Sequence, residues 1–110
     1  MKVFELNPIA NQSIQVTVEQ NTYEFRFRTF NSMVFADIDI NGLAVARSVR
    51  CLPYSLIIPY RFMEEMGNFY FTTSDNKYPS HEDYSGGCQL VYLSHDELWL
   101  MRDAWSKLHG

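Results

Sequence analysis

Ser94, His95 and Asp96 are the three residue types of a nucleophilic triad, and they stand consecutively. Triad members must converge in space, whereas three successive residues at a helix start point in different directions. Ser94 and Glu97 fit a capping box instead, in which hydroxyl and carboxylate satisfy each other's orphan backbone amides. Cys51, Cys88, His81 and His95 offer metal-ligand chemistry, but none shares the close spacing that pre-organises a zinc pair. Glu64 and Glu65 read as a solvated turn, because an acid/base pair must flank a substrate rather than adjoin in sequence. Asp75, Asn76, His81, Glu82 and Asp83 crowd one segment without the ligand register of a calcium loop. No glycine-rich loop precedes a helix to cradle phosphate. A glycan hydrolase needs two carboxylates facing each other across a cleft, and no candidate pair stands out. The sequence therefore predicts no catalytic residue, no cofactor and no metal site.

Tyr23-Glu24-Phe25-Arg26-Phe27-Arg28 carries a different chemistry, since aromatics and arginines on a sheet can stack nucleobases. Successive side chains of a strand face opposite sides, so the three rings share one face and the arginines the other. Core burial of the rings is the main reading. Arg26 and Arg28 then meet solvent or the acidic Asp37 and Asp39. A small β-barrel that binds single-stranded nucleic acid or another ligand through this arginine face is the alternative. Nine basic against thirteen acidic residues leave a net charge of −4, which disfavours general nucleic-acid binding. It also gives no attraction to an anionic membrane.

The elements that must position these residues are mostly strands. Ile14, Val16 and Val18 alternate with polar residues, as do Tyr23, Phe25 and Phe27, and then Val34, Ala36, Ile38 and Ile40. Turns at Gln20-Asn21, Asn31-Ser32 and Asn41-Gly42, with a return strand at residues 43–50, complete a four-stranded antiparallel meander. Residues 2–6, 69–73 and 89–93 supply shorter strands, and residues 60–66 could form one helical turn. Ser94 opens a helix over about 94–109, with Leu98, Met101, Trp105 and Leu108 on one stripe and Trp99 and Leu100 off it. The fold expected is mainly β, one domain over residues 1–110. It is an antiparallel meander closing into a small sandwich or barrel, with the C-terminal helix docked on it or on a neighbour. Hydrophobic residues make up 46% of the chain, enough for a core but a thin one at this length. Cys51 and Cys88 lack a CxxC spacing and read as buried thiols, with a disulfide as the other possibility. The start shows no signal peptide and no apolar run spans a bilayer, so cytosolic synthesis is expected.

Residues 52–84 depart from plain strand patterning. They hold three prolines, a Gly67-Asn68 turn and a high density of aromatics. Within the whole chain, Ile9-Ala10-Asn11-Gln12 is followed by the meander, then Tyr60-Arg61-Phe62, Gly67-Asn68-Phe69, Asp75 with Tyr78-Pro79, and a closing Leu90-Val91-Tyr92-Leu93. That order resembles the baseplate plug protein family of contractile-tailed bacteriophages, over about residues 5–98. The chain departs from the family's pattern at Ala10, where proline is commoner, and in a longer helix after Ser94.

The resemblance implies a structural virion protein of the tail baseplate, made in the host cytoplasm, and not an enzyme. It would sit on the tail axis between the tube or hub and the central spike complex, and help close the tube. Its partners would be hub, spike and tail-tube proteins, in a homo-oligomer of threefold or sixfold symmetry. Interface cores favour aromatics, Met and Arg. The candidate interface residues are accordingly Tyr54, Tyr60, Arg61, Phe62, Met63, Phe69, Tyr78, Tyr84 and Trp99.

Overall fold

The computed structural model of the chain describes residues 1–59, 65–84 and 86–109, with side chains described as far as residue 104. Its strands are β1 (Lys2–Phe4), β2 (Gln12–Val18), β3 (Asn21–Phe30), β4 (Met33–Ile40), β5 (Leu43–Arg50), β6 (Asn68–Thr73) and β7 (Cys88–Leu93), followed by the helix α1 (His95–His109). The meander forms as the alternation predicts, one antiparallel sheet in the order β2-β3-β4-β5. Asn31, Ser32, Asn41 and Gly42 all have positive φ, the backbone that two-residue hairpins of matching twist require. The first reversal falls one residue earlier than expected. Glu19 and Gln20 carry the positive φ values, 49° and 70°, and Asn21 pairs with Val18. Asn21 Oδ1 is thereby placed to accept from Asn41 Nδ2 at 3.1 Å, tying two neighbouring turns together.

The remaining strands make a second sheet in the order β1-β7-β6, antiparallel throughout. The two sheets face each other as an open sandwich rather than a closed barrel. Tyr23, Phe25 and Phe27 of the first sheet project inward with Ala36 and Ile38, all essentially without solvent contact. Phe69, Phe71, Leu90 and Tyr92 answer from the second. Phe69 meets Phe25 edge-on at 4.8 Å between ring centroids and Tyr23 at 4.9 Å. Phe71 meets Phe27 at 5.4 Å, again edge-to-face. This geometry sets positive ring edges against negative ring faces.

Residues 52–58 cross from one sheet to the other and then cover the outer edge of β6. Pro53 bridges Phe71 in parallel, Tyr54 N donates to Phe71 O at 2.9 Å, and Ile57 N donates to Phe69 O at 2.8 Å. Neither Pro53 nor Pro59 can donate to a ladder, so Asn68, wholly buried, holds the far end. Its Oδ1 accepts from Ile58 N at 3.0 Å and its Nδ2 donates to Ile58 O at 2.9 Å. The polar loop after β6 is ordered by two 3-10 turns, Ser74–Asn76 and His81–Asp83. It returns Tyr84 to the core, where its ring stacks on Phe71 at 5.8 Å.

The capping box at α1 forms as read. Ser94 N donates to Glu97 Oε1 at 3.0 Å and Glu97 N donates to Ser94 Oγ at 3.3 Å. The apolar stripe docks only in part: Leu98 is buried, but Met101 is 49% exposed. The side chains of Trp105 and Leu108 lie outside those described.

Cys51 and Cys88 are free and buried near each other, and burial pushes their pKa values up to about 12 and about 11. A raised acid keeps its proton in the fold. Its stabilising effect is complete below the unfolded thiol's value near 8.5 and is lost as pH rises above it. At pH 8.5 a thiol-reactive chromophore should label neither cysteine rapidly in the native protein and both at once in denaturant. Fast native labelling would contradict the burial. Phe69→Ala should lose about 3–5 kcal/mol of unfolding free energy, the range for deleting a buried ring, measured by urea titration against wild type.

Candidate docking face

Strand alternation and register decide which side chains leave the core. Across the second sheet, Val3, Val91 and Tyr70 lie opposite one another in one row. Phe4, Leu90 and Phe71 fill the adjacent inward row, so Val3, Val91 and Tyr70 project outward. Leu98 from the first turn of α1 is buried with Val91 and Leu93, outside the main core cluster. The helix therefore roofs one part of this outer face and leaves the rest open. Val3 is exposed and Tyr70 half-buried.

Tyr54 completes the face. Its φ of 56° is left-handed, a conformation that costs a non-glycine residue about 1–2 kcal/mol. Three contacts offset that cost. Its amide bonds Phe71 O, its hydroxyl donates to Thr73 O at 3.2 Å, and its ring lies 6.1 Å from that of Tyr70. The ring is nevertheless 54% exposed. Burial raises the Tyr70 phenol pKa, and the nearby Tyr54 and Glu97 add to the shift. Glu97 also accepts from the Met1 amine at 2.5 Å, and that bond is the first cause of its lowered pKa. Above the roof, Trp99 donates its indole N–H to His95 Nε2 at 2.6 Å and stays 60% exposed, beside exposed Leu100 and Met101. Two surface groups result, Tyr54 with Tyr70 and Val3 on the sheet and Trp99 with Leu100 and Met101 on the helix, and hydrogen bonds hold the Tyr54 and Trp99 rings.

The nine candidates named from sequence divide sharply. Tyr54 and Trp99 are exposed, the first beside Tyr70 and the second on α1. Tyr78 is exposed too, but pairs with Arg50, whose guanidinium lies 5.4 Å from the ring centroid at the end of β5. Phe69 and Tyr84 are corrected: both are core, because a two-sheet sandwich this small needs their rings to fill its centre. Tyr60, Arg61, Phe62 and Met63 lie outside the described residues. Sequence reasoning missed Tyr70 and Val3. The signal for Tyr70 was its place between Phe69 and Phe71, which sends it to the opposite face.

The arginine face of the first sheet is a charge ladder. Arg26 lies 2.7 Å from Glu24 and 3.3 Å from Asp39, Arg28 lies 3.1 Å from Asp37, and Arg47 lies 2.8 Å from Asp39. Each of these cations faces a carboxylate, which removes the positive excess that a phosphate backbone requires. An open groove of about 430 Å³ lies on this face between Arg26, Arg28, Asn11 and Ser13. Its one carboxylate, Asp37, accepts from Ser48 N at 2.8 Å and is ion-paired besides.

A family profile described as cyanophage baseplate Pam3 plug gp18 matches residues 1–96 of the chain. No curated protein matches it.

The charge ladder has a pH signature. The hydrogen bond from Ser48 N, followed by the arginines, holds the Asp37 carboxyl below its ordinary range. Hydrogen bonds from Arg47 and Arg26 do the same for Asp39. Depressed carboxylates stabilise the fold above the unfolded value near 3.9, and that contribution is lost as pH falls through the folded value. Melting temperature should therefore drop as pH is lowered through 4, and Asp39→Asn should flatten the acid limb; a variant with an unchanged acid limb would remove the ladder from the account.

Proposed function

The chain belongs to the cyanophage baseplate plug family, matched over residues 1–96, and on that premise we propose that it closes the tail tube by contact alone. Its role is structural, within the virion baseplate. In the proposal it sits on the tail axis between the tube or hub and the central spike complex. It is arranged as a homo-oligomer that matches a threefold or sixfold neighbour, and it transforms no molecule.

The observation that carries the contact mechanism is the face built on exposed Tyr54 and Val3 and half-buried Tyr70, together with exposed Trp99 on α1. The Tyr54 hydroxyl is tied to Thr73 O and the Trp99 indole to His95, so these two rings have less rotamer freedom left to lose on docking. Tyr and Trp are the residue types that most often dominate interface energetics. Tyr60, Arg61, Phe62 and Met63 join them in the proposed contact set, as does Tyr78.

Tyr54→Asn combined with Trp99→Ala tests the reading in the phage that encodes the chain. Asparagine tolerates the left-handed backbone, so the purified variant should melt close to wild type. Truncating two interface anchors at about 2 kcal/mol or more each should lower incorporation into virions at least about tenfold, read by quantitative immunoblot of purified particles. Wild-type incorporation and infectivity would sink the proposed face.

A further inference from the structure

Among the described residues, four strand edges border the two sheets, and three are guarded. The β6 edge is covered by residues 53–57. The β1 edge is three residues long and carries Lys2. The β5 edge is broken by register shifts opposite Ala36, Ile38 and Asp39, carries Arg47 and Arg50, and has Ser48 at a φ of 52° with its amide turned onto Asp37. Bulges, charges, short strands and covering segments are the usual devices against edge-to-edge pairing. Among the described residues, the β2 edge has none of them. Its sequence, Gln-Ser-Ile-Gln-Val-Thr-Val, contains no charge and no proline, and it pairs with β3 without a break in register.

The outward backbone groups of β2 can be identified. Asn41 N donates to Thr22 O, so even-numbered residues of β3 turn toward β4. Odd-numbered residues of β3 then bond β2, through the pairs Val18 with Asn21, Val16 with Tyr23, Ile14 with Phe25 and Gln12 with Phe27. The two-residue turn at Glu19-Gln20 requires the same parity. Ser13, Gln15 and Thr17 are left with N–H and C=O groups pointing off the sheet.

We propose that this edge pairs antiparallel with β2 of a second copy, about a twofold axis through Gln15. In that register Ser13 lies opposite Thr17 of the second copy, Gln15 opposite Gln15, and Ile14 opposite Val16. Three bonded pairs exchange two backbone bonds each. No like charges meet, the small hydroxyl side chains face one another on the wet side, and half-buried Ile14 and Val16 cover each other on the inner side. A ring with one end toward the tube and the other toward the spike is polar and is built from head-to-tail contacts, which an isologous twofold pair does not supply. The pairing therefore belongs to the free protein and shields the edge before assembly.

Light scattering across a concentration series tests this on the purified full chain. Wild type should move with concentration to twice 12.9 kDa, with the amides of Ser13, Gln15 and Thr17 slowing in hydrogen exchange over the same range. Gln15→Pro removes an outward donor that β3 does not use, and Gln15→Lys sets two like charges face to face. Both variants should stay at the monomer mass, and Gln15→Lys serves should the proline variant fail to fold. A monomeric wild type at all concentrations, or an equally dimeric Gln15→Lys, would overturn the pairing and leave the baseplate role unaffected.

Discussion

The edge-on contact of Phe69 with Tyr23 and Phe25 holds the two sheets at one separation, and the rest of the molecule is arranged around it. Neither sheet could stand alone: one has three short strands, the other a single apolar face that must be covered. The same contact fixes the chain next to it. The Tyr23 hydroxyl donates to Met66 O at 3.0 Å, and the Tyr92 hydroxyl lies 2.8 Å from that carbonyl and 3.1 Å from Glu19. Gly67 follows at a φ of 85°, where a Cβ would come within 2.5 Å of Leu93 O and the Tyr92 hydroxyl. Glycine is required there by both backbone conformation and space. Asn68 then clamps residues 52–58 along β6, which is what positions Tyr54.

The two sheets divide the surface between them. The outer face of the first carries arginines and carboxylates that balance each other across β3, β4 and β5, with Phe35 half-buried beside Arg28 and Phe30 exposed at the end of β3. Exposed ion pairs contribute little to stability, but such a face offers no single-sign field to attract a polyanion. The outer face of the second sheet is apolar and aromatic, and α1 roofs only part of it. Leu98, Val91 and Leu93 are buried where α1 lies against β7, while Trp99, Leu100 and Met101 are exposed. The Tyr54-Tyr70 face thus lies on the smaller sheet and the ion-paired face on the larger one.

Phe69 and Tyr84 show where reading composition as interface goes wrong. An excess of aromatics suggested surface, yet in so small a sandwich most rings are needed to fill the space between sheets that pack about 10 Å apart. Tyr54 shows the opposite case. Nothing in its sequence context marks a left-handed tyrosine, because that conformation is imposed by β6 on one side and Pro53 on the other. The family's ordered motifs, by contrast, were legible, since they follow chain order and need no third dimension.

The sequence alone determined the meander, its inward rings, the outward side of the arginines and the capping box. All of these depend on neighbours in the chain or on adjacent strands joined by two-residue turns, and local periodicity fixes them. Tertiary structure alone decided that the strands form two open sheets, that residues 52–58 run beside β6, that Tyr54 and Tyr70 meet, and that α1 docks by Leu98 while leaving Met101 exposed. Those outcomes come from pairing segments far apart in the chain. Many such pairings satisfy the same alternation, and only the packing of specific rings against one another selects among them.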